Sequence, residues 1–406
     1  MGGEIKKPYV VQLNQLLLSL SLVGAILLPP IRIGDGFPAL EVSDIAFPIL
    51  VLSILFFFRS DFLQRIKKHR QIIFVFLVFI AFTVVSILGN GRWGELRDWF
   101  EVLKYIKFIA FIGFIYFFFN PHQYFRIIIP LFILAFIFNL LHYFNIFGFN
   151  SIIEPFYAAP HHLDFFGLNS LGEPATKRAL GVLGNPNTNG LFFLSFILLF
   201  LPKSTSHPSR NTLLLGLAIT GLLLCQTRTG ILTYVIVLIV FYISNPSNWR
   251  KILQILLFSI LIYFGLSLLG NLYLNSLANP GILKNAGIGR VEPWQKIIDA
   301  MPGHWIIGHA PEKEYFERHT IYSESEYFLI LFRYGLLGIM AFLLFWAVWL
   351  KNYALKTFRR NPLAILVAFV YLTGAITNNP LQSPKIALIL SAVMAVSLFE
   401  SDDQTN

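Results

Sequence analysis

The sequence predicts an all-α integral membrane protein, and three observations carry that prediction. Hydrophobic residues make up 56% of the 406 and charged residues only 13%, about half the charge of a soluble domain. Mean hydropathy is +0.67. Runs without acidic or basic residues, such as Gln71–Gly91, Ile127–Ile153, Thr229–Trp249 and Ile252–Leu283, each exceed the roughly 20 residues that a hydrocarbon core demands.

Apolar runs divided by loop signals give about twelve transmembrane helices. The first, 11–28, follows Lys6 and Lys7 and closes on Pro29-Pro30. It lacks a small-residue cleavage site, so it reads as an uncleaved span rather than a signal peptide. The second and third, 44–58 and 71–88, flank a connection containing Arg59, Arg65, Lys67, Lys68 and Arg70. The fourth, 100–119, starts amid Arg97, Glu101 and Lys104 at helical spacing, which form either an interfacial turn or the charged outer end of the span. Next come 125–146, 187–202, 211–226, 229–243 and 251–270, then 326–347, 362–378 and 385–399.

One polytopic membrane domain, 1–406, accounts for the whole. It comprises N-terminal helices (1–146), a first long outer loop (147–186), central helices (187–270), a second long outer loop (271–325) and C-terminal helices (326–406). The even-numbered connections are basic, with Lys203 and Arg210, Arg250 and Lys251, and Lys351, Lys356, Arg359 and Arg360 beside the second. Short basic loops stay in the cytoplasm. Both termini are therefore expected there, in the cytoplasmic (inner) membrane. Connections longer than about 15 residues are usually functional. The two outer ones hold Phe156, Tyr157, Phe165, Phe166, Trp294 and Trp305 and are expected to fold back over the bundle as short helices.

Other classes are excluded. Cys225 is the single cysteine, so neither a disulfide framework nor a thiolate metal site is available. The net charge of +10 is not arranged as a basic block interleaved with aromatics, which argues against nucleic acid. His161, His162 and Asp164, or His304 and His309, fit no zinc helix pattern. No metal or cofactor is expected. His142, within an apolar run, reads as a packed, hydrogen-bonded side chain.

Candidate chemistry clusters at outer helix ends. In RALGVLGNPNTNG, Arg178 to Gly190, Asn185 can cap the sixth helix and Pro186 suits its first turn. Free amides there attract anions, and Lys177 and Arg178 add full charge. A well-capped membrane helix with interfacial cations explains the same residues. In Cys225-Gln-Thr-Arg228-Thr-Gly230, the arginine occupies the tightest outer hairpin, where a side chain has little choice but to turn inward to an anion or a cavity. Snorkelling to the interface is the alternative. Arg290 precedes Glu292-Pro293-Trp294, whose Glu292–Lys296 and Trp294–Ile298 spacings predict a short amphipathic helix. The tenth helix opens at Glu324-Ser325-Glu326-Tyr327. Its carboxylates suit the helix dipole, or serve as a general base. Arg333 lies on the Glu326 face roughly 10 Å deeper, where a charge must be paired or meet water.

In this order these elements resemble the O-antigen ligase and polymerase superfamily of cell-envelope glycan enzymes. The matching run goes from Lys177-Arg178 and Gly181 through Gly184-Asn185-Pro186-Asn187, Gln226-Thr-Arg228-Thr-Gly230 and Gly289-Arg290 to Trp294. It continues through MPGHWIIGHA to Glu324, Tyr327, Gly335 and Gly338. Roughly residues 175–345 are covered; the first five helices match in hydropathy alone. The resemblance implies transfer of a glycan from an undecaprenyl-diphosphate carrier on the outer side of the membrane, without a metal or nucleotide sugar. It implies that Arg178, Arg228 and Arg290 hold the diphosphate, with Lys177, Asn185 and Asn187 beside them. Ligases of this superfamily usually carry histidine and then asparagine where this chain has Glu324 and Ser325, which favours a polymerase.

The chemistry is consistent with that. Fixed cations stabilise a departing diphosphate, and guanidinium groups bind phosphate oxygens bidentately. The acceptor hydroxyl must lose a proton, which points to Glu324 as base, with Glu326 and His319 as alternatives. The expected partners are lipid-linked donor and acceptor glycans, membrane lipids and a chain-length regulator. A ligase acting on lipid A–core or protein is the nearest alternative. A transporter or lipid flippase also suits about twelve helices, but would show repeated halves, and none are found.

Overall fold

The computed structural model describes residues 7–31, 39–157, 178–201, 208–244, 246–268, 291–319, 323–354 and 362–402. The helices are α1 (Lys7–Leu27), α2 (Val42–Ser53), α3 (Arg59–Ile66), α4 (Arg70–Gly89), α5 (Leu96–Phe118), α6 (Pro121–Phe144), α7 (Phe149–Tyr157), α8 (Pro186–Phe200), α9 (Pro208–Cys225), α10 (Arg228–Ser244) and α11 (Trp249–Leu268). A helix over 291–300, α12, follows. Then come α13 (Lys313–Arg318), α14 (Glu326–Trp349), α15 (Leu363–Thr377) and α16 (Pro384–Asp402).

Each of the twelve apolar segments contains one of these helices. Length and composition qualify Pro8–Leu27, Val42–Gly89, Pro121–Phe144, Trp249–Leu266 and Glu326–Tyr353 to cross a membrane. Shorter apolar helices of 10–17 residues, among them Pro186–Phe200 and Leu363–Thr377, account for the other expected spans except the fourth, whose helix α5 carries Arg97, Asp98, Glu101, Lys104 and Lys107 and is in neither group. The basic connection between the second and third segments is not a loop. A π turn at Ile54–Phe58, α3 and a 3-10 turn at Lys67–His69 continue the helix through it. That stretch contains no glycine or proline and is rich in Arg, Lys, Leu and Gln, which are good helix formers.

The core follows from helices that are apolar all round, which bury every face. All residues of α8 from Asn189 to Phe200 are buried. Phe132 of α6 stacks on Phe196 with centroids 4.6 Å apart and meets Phe200 edge-on at 5.2 Å, geometries that aromatic pairs prefer. On the other side α14 packs on α4, with Phe76 against Phe345 at 4.9 Å.

The connections sort to two ends. At one, His69 Nδ1 meets the Tyr353 hydroxyl at 2.6 Å, and Asn352 donates to Gln71 at 3.1 Å. At the other, Tyr157 donates to the Leu27 carbonyl, Lys385 to those of Leu28 and Val182, and Arg92 to Glu314. Every candidate residue within the described chain lies at this second end.

α14 is broken at Gly335, whose φ of 63° and ψ of −161° are not helical. Such backbone is essentially restricted to glycine. A strap from the MPGHWIIGHA motif fills the gap. Leu336 N–H donates to the Trp305 carbonyl at 2.7 Å, Leu337 N–H to Ile306 at 3.2 Å, and His309 N–H to Phe332 at 2.8 Å. The Ser86 hydroxyl donates to the Arg333 carbonyl at 2.6 Å. The groups freed by the break are thus paired, as a membrane interior requires.

Candidate functional site

Two motifs separated by some forty residues meet on one threonine. A Cβ at Gly190 would sit 2.8 Å from Thr227 Oγ1, and one at Gly230 only 2.0 Å from it. The glycines ending NPNTNG and QTRTG are therefore what lets α8 and α10 close on the hairpin between α9 and α10. Gln226 turns through the left-handed region at φ 49°. Thr227 Oγ1 accepts the Gly230 N–H at 3.0 Å and so caps α10.

Arg178 is drawn onto the same hairpin. Its Nε donates to the Cys225 carbonyl at 3.3 Å and its Nη2 to Asn187 Oδ1 at 2.8 Å. Arg228 begins α10 three residues past Cys225, and its buried Nε has no hydrogen-bond partner among the described residues. The two arginines therefore share one turn.

At the start of the expected sixth helix, α8, the capping reading finds its place. Asn185 Oδ1 accepts from the Asn187 and Thr188 amides at 2.8 and 3.3 Å, so those two amides are already satisfied by the cap. The Asn187 side chain is engaged with Arg178. Asn185 therefore shapes the turn, and Asn187 orients a guanidinium.

The chain then passes to the opposite wall through the end of α15. Thr229 and Thr377 hydroxyls are 2.5 Å apart. Past Thr377, the Asn378 carbonyl accepts the Glu326 N–H at 3.2 Å, and Asn379 Nδ2 donates to the Ser323 carbonyl at 2.6 Å. Ser325 Oγ donates to Ala375 at 3.3 Å. Glu324 is held within this stretch and is exposed, whereas Ser325 and Glu326 are buried. Arg178, Arg228 and Glu324 are thereby tied to one helix end. Sequence reasoning missed that end. The polar run Thr377-Asn378-Asn379-Pro380 closing an apolar helix was the available signal.

The other candidates are held differently. Glu326 lies at 0% exposure and accepts the Leu381 N–H at 3.1 Å, which separates it from solvent and suits a structural anchor. His319 stacks on Tyr315 at 4.1 Å and meets its carbonyl at 2.9 Å on α13. Lys177 and Arg290 lie outside the described residues, as do His161, His162 and Asp164. The amphipathic helix expected after Arg290 is α12: Lys296 pairs with Glu292 at 3.0 Å, and Trp294 stacks on Phe328 of α14 at 4.8 Å.

Several other charges and histidines among the described residues have partners. Arg333 bonds Glu101 at 3.2 Å and Gln382 at 3.0 Å, and Glu101 also takes Lys104 at 2.8 Å. Arg92 reaches Asp98 at 2.6 Å and Glu314 at 3.1 Å. His142 meets Glu154 at 3.2 Å, both buried. His304 and His309 stack at 3.9 Å, and His309 Nε2 lies 2.8 Å from the Ala300 carbonyl. Burial pushes the His309 imidazole below its ordinary value, in keeping with a neutral, stacked ring. Among the described residues no three His, Cys, Asp or Glu side chains gather as metal ligands would.

No curated protein matches the chain. The family model described as O-Antigen ligase matches residues 213–343, a stretch that begins inside α9, contains Arg228, Glu324 and Arg333, and ends inside α14. Over those residues this membrane protein is similar to the O-antigen ligase family.

Proposed function

We propose that the protein is a surface-polysaccharide polymerase of the inner membrane, moving a glycan from its undecaprenyl diphosphate onto a lipid-linked repeat unit on the outer side. The observation that carries this is the hydrogen-bonded path from Arg178 through the 225–229 turn to Thr377, Asn379 and the Glu324 stretch. It gathers two guanidiniums and a carboxylate at one end of the bundle. The acceptor hydroxyl oxygen attacks the anomeric carbon and its proton passes to Glu324. The anomeric carbon–oxygen bond to the diphosphate breaks, and the electron pair leaves with the phosphate. Arg228, whose Nε has no hydrogen-bond partner among the described residues, and Arg178, oriented by Asn187, receive the developing charge. Such stabilisation is strongest where water is scarce.

Removing one such donor costs about 10²- to 10³-fold in turnover. Arg228→Ala is expected to abolish long-chain polysaccharide while the protein still inserts and accumulates. Normal chain-length ladders in that variant would sink the assignment. The matched family is described by its ligase activity, which favours a second reading: attachment of finished glycan to lipid A–core or protein. Loss of a ligase leaves polymer on its carrier. Loss of a polymerase leaves single repeats on the final acceptor. A transporter would accumulate substrate in vesicles without cleaving it.

A further inference from the structure

At the end of the bundle away from the arginines, α9 and α11 part to leave a cavity of about 580 Å³. That lies within the range of roughly 300–1,000 Å³ typical of small-molecule sites. Leu213, Leu217, Ile255 and Phe258 wall it, and Lys251 and Gln254 stand near the starts of the helices. From residue 211 to residue 220 the cavity follows α9 for roughly 14 Å at the helical rise. Lys251 is the one charged residue among the described residues that line it.

The surroundings are those of a lipid contact. Of the five stretches long and apolar enough to span a membrane, Trp249–Leu266 is the least enclosed, 17% buried against 39–56% in the others. Leu253, Leu257 and Leu261 are exposed along it. The Arg250 guanidinium lies 5.5 Å from the Trp249 ring centre, and Trp with neighbouring cations marks a membrane–water interface.

We propose that this cavity binds one anionic glycerophospholipid, with an acyl chain between α9 and α11 and its phosphate on Lys251. The cation at the mouth selects a negative headgroup. Gln254 lies one turn further in, roughly 4.5 Å deeper, where its amide can donate to a glycerol ester carbonyl. A polyprenyl phosphate offers the charge but no ester. The lipid fills a gap that two apolar helices leave open, and so joins peripheral α11 to the bundle.

Native mass spectrometry of the full chain in detergent tests this, with titration by phosphatidylglycerol, phosphatidylcholine and a polyprenyl phosphate. One retained phosphatidylglycerol per chain is expected, in preference to the other two. Lys251→Gln should weaken that lipid about fivefold, the worth of one cation near an anionic surface, and leave phosphatidylcholine unchanged. Thr220→Phe, which fills the cavity, should remove the retained lipid. Should Thr220→Phe lower stability in detergent alone, Leu213→Trp at the cavity rim serves instead. Equal retention of the two phospholipids, tighter binding of the polyprenyl phosphate, or retention unaffected by either plug would overturn the proposal. So would a dimer that forms on delipidation and is blocked by Leu213→Trp, since a second copy would then be the occupant.

Discussion

Arg228 and Arg333 are the same residue type on helices of the same bundle, yet they are held in opposite ways. Arg333 is 5% exposed and is paired with Glu101 and Gln382. Arg228 sits at a helix start in a tight turn, partly exposed; both arginines have an Nε without a hydrogen-bond partner among the described residues, but there only Arg333 has a carboxylate paired with it. A neutralised buried cation fixes how helices meet. An arginine with no paired carboxylate among the described residues, beside a second arginine, is equipped for an anion that arrives from outside. Depth alone therefore does not separate structural from functional charge; the state of its partners does.

The sharpest way to break this contrast is to remove the charge at each site. Arg333→Met leaves Glu101 buried without that ion pair, and should destabilise the protein by about 3–5 kcal/mol in thermal unfolding. Adding Glu101→Leu should restore part of that loss, read as a coupling energy in a double-mutant cycle. Arg228→Ala should leave the unfolding temperature near that of the parent while activity collapses. If instead Arg228→Ala unfolds the protein and Arg333→Met does not, the two roles are reversed.

Gly335→Ala probes the frame that holds Arg333. A Cβ there would lie 2.4 Å from the Ile306 carbonyl oxygen, at a φ of 63°. Backbone strain of this kind costs on the order of 1–3 kcal/mol, seen as a lower unfolding temperature with Arg228 chemistry intact per folded molecule.

The smallest effect belongs to the charged layer above Arg333. A hydrogen bond from its own backbone N–H, then the Arg92 and Arg97 guanidiniums, hold the Glu314 carboxyl below its ordinary 4.5, against the opposing effect of burial. A depressed carboxyl contributes stability that is complete above its unfolded value and is lost as pH falls through the folded one. Glu314→Gln should therefore lower the unfolding temperature slightly at pH 7, and that difference should fade as the medium is acidified below the ordinary carboxylate range.

Much of this was legible in the sequence. Hydropathy located the helices because an apolar run in a bilayer has few other ways to pair its backbone. The arginine-bearing turns were visible because a charge is conspicuous between uncharged spans. Long-range pairing was not visible. Nothing local ties Arg333 to Glu101, 232 residues away, or Thr229 to Thr377, 148 residues away. The glycines at 190 and 230 read as turn residues, whereas their shared contact on Thr227 needed the fold. The helical turns through Arg59–Arg70 were missed because topology rules locate basic residues without saying whether they are coiled.

The strap that fills the break in α14 bears on how the chain is made. Residues 305–309 leave the ribosome before α14 does, yet the amides of Leu336 and Leu337 and the carbonyl of Phe332 that bond them are synthesised afterwards. The hairpin of strap and helix must therefore close after the later segment has entered the bilayer. The strap is thus a late-fitting wedge of the bundle, seated once the helix that follows it is in place.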